Sequence, residues 1–193
     1  MIPIKAAREL KNLLASEIRS NQKVDLKIKK GSQLEFEIGN KLMTAREITG
    51  AFPNWEMVVP KTFEYFAEMK ANELKDALTR VGVMADDSHR RIEFIFLQNK
   101  LTLKSESAET GNSTEEINCT FQKLGNAENV APETPDGWKI AFNTKYLMDF
   151  MALQNAKQVE SRVIWKFGTN VSQTLLSFEG EERLFSYVLV PLK

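Results

Sequence analysis

Cysteine and histidine each occur once in this 193-residue chain, at Cys119 and His89. A single thiol cannot close an internal disulfide, which is the pattern of a reducing compartment, so a cytoplasmic location is expected. One histidine and one cysteine also exclude a two-histidine metal site and a thiolate pair. Asp86, Asp87 and His89 stand close together, but a carboxylate pair in a loop is ordinarily solvated. There is no glycine-rich phosphate loop and no nucleophile elbow, so hydrolase and nuclease readings find no support. No metal and no cofactor is expected. Apolar runs never approach the ~20 residues of a membrane span, and the first residues lack the apolar stretch of a signal peptide. No membrane partner is expected either. Net charge is absent too, with 26 basic residues against 26 acidic ones, so attraction to a polyanion must come from local clustering.

What is present is ordinary globular material, 42% hydrophobic and 27% charged. Its order is not ordinary. Met1 to Ile4 reads as a short strand, and Lys5 to about Ile18 as a helix with Ala6, Leu10, Leu13 and Leu14 near one face. Val24, Leu26 and Ile28 alternate, then Leu34, Phe36 and Ile38, with turns at Gly31-Ser32 and Gly39-Asn40, and a further strand over Lys41 to Ile48. The same order returns from Thr62. A strand through Phe63, Tyr65, Ala67 and Met69 leads to Asn72, the expected cap of a helix carrying Leu74, Ala77, Leu78 and Val81. Ile92, Phe94 and Phe96, then Leu101 and Leu103, then Ile117, Cys119 and Phe121 make three strands. A third copy starts at Trp138, where Asn143 caps a helix with Leu147, Phe150 and Met151. Its strands are expected over Ser161 to Phe167, Ser172 to Phe178 and Arg183 to Pro191. The fold class is therefore α+β, built from three repeats of a strand–helix–meander unit. Such a unit leaves an apolar sheet face and two bare edges, so units should pair. The second and third pair across the loop Gly125 to Gly137, and the first is left without a partner.

Between the first and second copies lies Gly50-Ala-Phe-Pro-Asn-Trp-Glu-Met-Val-Val-Pro-Lys61. Residues before Pro53 and Pro60 are pushed into extended conformations, giving a stiff linker. Trp55, Met57, Val58 and Val59 are apolar enough that they should pack where two modules meet.

Four motifs together resemble one family. The linker Gly50–Pro60 is similar to the connection between the middle and C-terminal domains of the bacterial DNA polymerase III beta subunit, the sliding clamp. Phe142-Asn-Thr-Lys-Tyr-Leu-Met-Asp149 resembles the start of that family's last helix, and Tyr187-Val-Leu-Val-Pro-Leu192 its C-terminal tail. Ile2-Pro3 leading into Lys5–Leu14 resembles the start of the second half of the middle domain. The resemblance implies a DNA-clamp fold, with residues 1–60 as half of the middle domain plus linker and residues 61–193 as a complete C-terminal domain. It also implies a chain shortened at its N-terminal end. Glu56-Met57 departs from the family, where many relatives carry basic residues.

The implied function is that of a non-enzymatic processivity factor of DNA replication. In the family, a homodimeric ring encircles duplex DNA without reading its sequence. The resemblance places Arg8, Lys11, Lys75, Arg80, Lys145 and Lys157 on helices facing the duplex. From Met1 to Gly31 the chain holds eight basic and three acidic residues, whereas Glu106 to Asp136 holds seven acidic residues and one lysine. DNA polymerase III subunits, the clamp loader and other clamp-binding proteins dock through a hydrophobic peptide groove. Its implied residues here are Pro53, Met57, Val58, Asn143, Tyr146, Val188, Val190 and Leu192. Alternation lets only one face of the tail strand line that groove. Val83 and Met84 match a hydrophobic pair at the ring interface, with Arg91 to Phe96 expected near the sheet edge. A reading from another class is a clamp-fold interaction module that binds partner peptides without encircling DNA.

Overall fold

The computed structural model describes residues 1–17, 26–31, 33–85, 90–107, 111–125, 136–154, 160–181 and 185–192. Two units emerge, Met1–Asn54 and Trp55–Lys193. In the first, helix α1 (Ile4–Glu17) accompanies strands β1 (Leu26–Lys30), β2 (Leu34–Ile38) and β3 (Lys41–Ala45) in an antiparallel sheet of order β1-β2-β3. The strand expected over Met1–Ile4 does not form. Pro3 instead opens α1, accepting the first helical bond from the Ala7 amide at 3.0 Å, and a proline fits a helix entry because its missing N–H would have no partner there. Only the Met1 carbonyl takes a strand-like bond, from the Ile48 amide at 2.9 Å.

Register explains what this unit buries. Phe36 and Ile38 are buried, and directly across β1 lie Ile28 and Leu26 on the same sheet face. Those two are exposed, and no residue of α1 is buried. The apolar face thus runs on uncovered across β1. Val24, expected at the head of that strand, lies outside the described residues.

The second unit holds β4 (Tyr65–Lys70), α2 (Ala71–Gly82), β5 (Arg91–Phe96), β6 (Lys100–Ser107), β7 (Gly111–Asn118), β8 (Thr120–Lys123), β9 (Trp138–Asn143), α3 (Thr144–Met151), β10 (Arg162–Phe167), β11 (Thr174–Phe178) and β12 (Tyr187–Leu189). One sheet has the order β12-β11-β10-β4-β8, the other β7-β6-β5-β9. The two repeats exchange their first strands. β4 pairs antiparallel with β10, and β9 pairs antiparallel with β5. The ends repeat the relation: the Leu124 amide donates to the Glu64 carbonyl and the Leu192 amide to the Ala141 carbonyl, each at 2.7 Å.

Two expectations need correction. Ile117, Cys119 and Phe121 do not share one strand: β7 pairs with β6, β8 pairs with β4, and the chain changes sheets at Cys119. All three side chains are buried, so the inward alternation runs on without marking the change of partner. Asn72 is not the cap of α2 either. Lys70 occupies that position, because β4 runs straight into the helix and the Ala71 amide still bonds the Ser161 carbonyl at 2.9 Å. α3 follows the sequence pattern, with the Asn143 side chain accepting from the Lys145 amide at 2.9 Å.

Aromatic rings fill the core. Phe94, Phe96, Phe142 and Phe167 surround Trp165, with ring centroids 5.0–6.0 Å from it. Gly137 enters β9 at φ 75°, and a Cβ there would lie 2.8 Å from Ile95 and 2.9 Å from the Phe96 carbonyl, so only glycine fits. Cys119 is buried beside this core, and burial pushes its thiol up to about 12. Thiol reagents attack the thiolate. Labelling of Cys119 in the folded protein should therefore be slow and should accelerate in step with denaturant-induced unfolding. Rapid stoichiometric labelling without denaturant would contradict this packing.

Candidate partner-docking and duplex-facing surfaces

The C-terminal tail and the start of α3 are built into one surface. β12 pairs with β11 in the register Leu176↔Tyr187, Leu175↔Val188 and Thr174↔Leu189. Leu189 turns into the core at 5% exposure, so Val188 and Val190 take the opposite face, Val190 at 58%. Leu192 is half-buried and bridges Ala141, two residues before Asn143. Tyr146 stands one turn into α3, its side chain 51% exposed. The Tyr187 hydroxyl donates to the Tyr146 carbonyl at 3.1 Å, tying tail and helix together. Burial, with Asp149 and Tyr146 nearby, raises the Tyr187 hydroxyl above its usual range. The sequence motif alone assigns Tyr187 no role. The available signal was chemical, since a half-buried tyrosine hydroxyl ordinarily finds a partner.

The linker behaves differently from its expectation. Trp55–Met57 forms a short 3-10 turn, closed by the Val58 amide donating to the Trp55 carbonyl at 3.0 Å. Trp55, Met57 and Val58 are exposed, Met57 at 81%, rather than packed. Val59 and Pro60 are half-buried, so burial begins only there. Pro53 is exposed and belongs to the first unit.

Of the cations, Arg8 and Lys11 are exposed on α1, Lys75 and Arg80 on α2, and Lys145 on α3. Lys157 lies outside the described residues, as do Asp86, Asp87 and His89. Arg80 is engaged. Its Nε donates to Glu115 Oε1 at 2.9 Å and its Nη2 to Glu115 Oε2 at 3.1 Å. These bonds raise the guanidinium and hold the Glu115 carboxyl below the usual carboxylate range. The sequence offered no sign of this pairing, because 35 positions separate the partners.

Val83 and Met84 follow α2, where their amides donate to the Arg80 and Val81 carbonyls at 3.4 and 3.2 Å. Both side chains are exposed, Val83 at 72%. Arg91–Phe96 lies one strand in from a sheet edge: β5 runs between β6 and β9, and the outer strands are β7 and β9. Between α2 and α3 is an open cavity of about 440 Å³ lined by Leu78, Thr79, Val83, Arg90, Lys145 and Met148. Among the described residues, no group of three or more His, Cys, Asp or Glu is placed to hold a metal ion, and no helix is long and apolar enough to cross a membrane.

The family profile of the DNA polymerase III beta subunit, C-terminal domain, matches residues 56–193. The beta sliding clamp of Synechocystis sp. is 31% identical over 150 residues, covering 77% of this chain and 35% of that relative. The beta sliding clamp of Synechococcus elongatus is 24% identical over 194 residues, covering 100% of this chain and 47% of the relative. Among solved structures, a sliding clamp from Pseudomonas aeruginosa bound to griselimycin superposes with a TM-score of 0.80 at 20% identity, covering 100% of this chain and 46% of its own. A sliding clamp from Bartonella birtlesii superposes at 0.81 and 22% identity, covering 100% and 50%. The chain thus spans half or less of the length of these relatives. Their fold is the α+β architecture described above, carried over the whole chain. With a profile match over residues 56–193, this chain belongs to the DNA polymerase III beta-subunit, or sliding-clamp, family.

Proposed function

We propose that this chain is the C-terminal part of a processivity factor of DNA replication, a non-enzymatic ring component that surrounds duplex DNA and docks partner proteins. In this reading residues 1–60 are half of a middle clamp domain with its linker, and residues 61–193 a C-terminal clamp domain. Residues Met57, Val58, Asn143, Tyr146, Val188, Val190 and Leu192, with Pro53 from the linker, take the hydrophobic anchors of partner peptides such as those of DNA polymerase III subunits. Arg8, Lys11, Lys75, Arg80, Lys145 and Lys157 face the duplex. Val83 and Met84 meet a neighbouring clamp subunit.

One observation carries the docking part. Met57, Val58, Tyr146 and Val190 leave large apolar groups in solvent, Tyr146 and Val190 on the helix start and the tail that the Tyr187–Tyr146 hydrogen bond ties together. Exposed apolar groups that cluster by element are the usual mark of a binding surface. The Asn143 side-chain oxygen accepts from the Lys145 amide, which fixes this side chain at the start of α3.

Titration of a fluorescent hydrophobic clamp-binding peptide tests it. Saturable binding is expected, and Met57→Ala and Leu192→Ala should each weaken it roughly tenfold, the effect of losing about 1.4 kcal/mol at an anchor contact. Equal affinity in wild type and both variants would overturn the groove.

A further inference from the structure

We propose that Glu115 withholds Arg80 from phosphate, so that the helical face of the second unit adds little to duplex attraction and α1 carries most of it. This rests on the duplex-surrounding reading above.

Guanidinium recognises carboxylate and phosphate by the same fork geometry, two parallel N–H···O bonds. Arg80 already spends that fork on Glu115, at 2.9 and 3.1 Å. The acceptor does not have to be gathered from a mobile loop. Glu115 sits in β7, opposite Leu103 of β6, in a ladder running from Lys100↔Asn118 to Ser107↔Gly111. A phosphate reaching Arg80 must displace both charge-assisted bonds and approach a carboxylate that is then left unpaired. Pairs this exposed contribute little to stability, so the consequence of the contact lies in the charge it hides.

The surrounding charges point the same way. On α2 and α3, Lys75, Arg80 and Lys145 stand against Asp76, Asp149 and, beside them, Glu115, with Glu73 taken up by Lys70 at 3.3 Å. That face offers no excess of positive charge. α1 differs. Lys5, Arg8 and Lys11 recur every third residue, within about 120° of the helix circumference. Of its two acids, Glu17 is taken up by Lys41 of β3 at 2.6 Å, and Glu9 remains beside three cations.

The test is fluorescence anisotropy of a labelled duplex at several salt concentrations, with wild type, Glu115→Gln, Arg80→Gln and the double variant. Each phosphate neutralised steepens the log-affinity against log-salt slope by about 0.9. Glu115→Gln should steepen it by that amount and tighten duplex binding roughly three- to tenfold at low salt. Most tellingly, Glu115→Gln should bring a smaller gain in the Arg80→Gln background than in wild type, because no guanidinium is there to be freed. A gain there equal to the gain in wild type would mean that only net charge matters and would overturn the proposal. So would a flattened slope in Arg80→Gln, which would show Arg80 already on phosphate. A salt-dependent wild type with an unchanged Glu115→Gln overturns this inference alone. No duplex binding by any form, with peptide binding intact, overturns the duplex-surrounding reading together with it.

Discussion

Replacing Trp165 with alanine is expected to lower the unfolding free energy of the second unit by about 3–5 kcal/mol. The indole is fully buried and is surrounded by Phe94, Phe96, Phe142 and Phe167. These rings come from β5, β9 and β10, so the vacated volume lies between the two sheets and neither can collapse into it alone. The polar side adds to the loss. Trp165 Nε1 donates to Thr174 Oγ1 at 3.0 Å, and the same hydroxyl donates to the Leu189 carbonyl at 3.2 Å, so one side chain braces β10, β11 and the tail strand. Trp165→Phe keeps an aromatic ring in the site but loses the N–H donor and part of the indole volume, for which about 1–2 kcal/mol is expected. Urea titration separates the two, since a midpoint shift at constant m-value reports stability. A Trp165→Ala midpoint close to wild type would contradict the packing. Because a domain is stable by about 5–15 kcal/mol in all, the alanine variant should also release the tail from β11 well below wild-type denaturant. Peptide docking should then weaken for a structural reason, which the phenylalanine control identifies.

Tyr146→Ala is expected to remove about 2 kcal/mol of peptide affinity, roughly a thirtyfold rise in Kd. Tyrosine presents a large, stiff, amphipathic surface, and here half of it faces solvent at the start of α3. Its backbone is fixed from two directions. The helix cap on the Asn143 side chain holds the first turn, and the Tyr187 hydroxyl grips the Tyr146 carbonyl at 3.1 Å. Tyr187→Phe should therefore act as a positioning change. It should weaken peptide binding a few-fold, in line with about 0.5–1.5 kcal/mol for one hydrogen bond, while the ring stays packed 5.5 Å from Phe150. Fluorescence titration distinguishes the two roles, because adding Tyr187→Phe to Tyr146→Ala should bring little further loss. Unchanged affinity for Tyr146→Ala would place the binding surface elsewhere.

The candidate surface was only partly legible in the sequence. Tail and helix-start residues could be named from their motif, but the motif did not say which tail residues face outward. Leu189 at 5% exposure settles that, by leaving Val188 and Val190 the other side. Trp55, Met57 and Val58 read as buried hinge residues because apolar composition signals burial in general. It cannot distinguish burial within a chain from a surface left open. That Arg91–Phe96 stands one strand in from the outer strand β9, and not at the edge itself, was not legible, since alternation is the same in an inner strand and an outer one.

Single elements were determined by the chain alone. Leu74, Ala77, Leu78 and Val81 at helical spacing form the buried side of α2, and Ile92, Phe94 and Phe96 at period two form the buried side of β5. Those periods follow from the geometry of one helix or one strand and need no partner to be read. The tertiary structure decided which elements meet. β4 joined β10 and β9 joined β5, the chain crossed between sheets at Cys119, and Arg80 found Glu115. Each of these contacts joins segments remote in sequence, and each is selected by closure of a shared core or by the side chains that closure brings within reach. Local patterning carries no record of that selection.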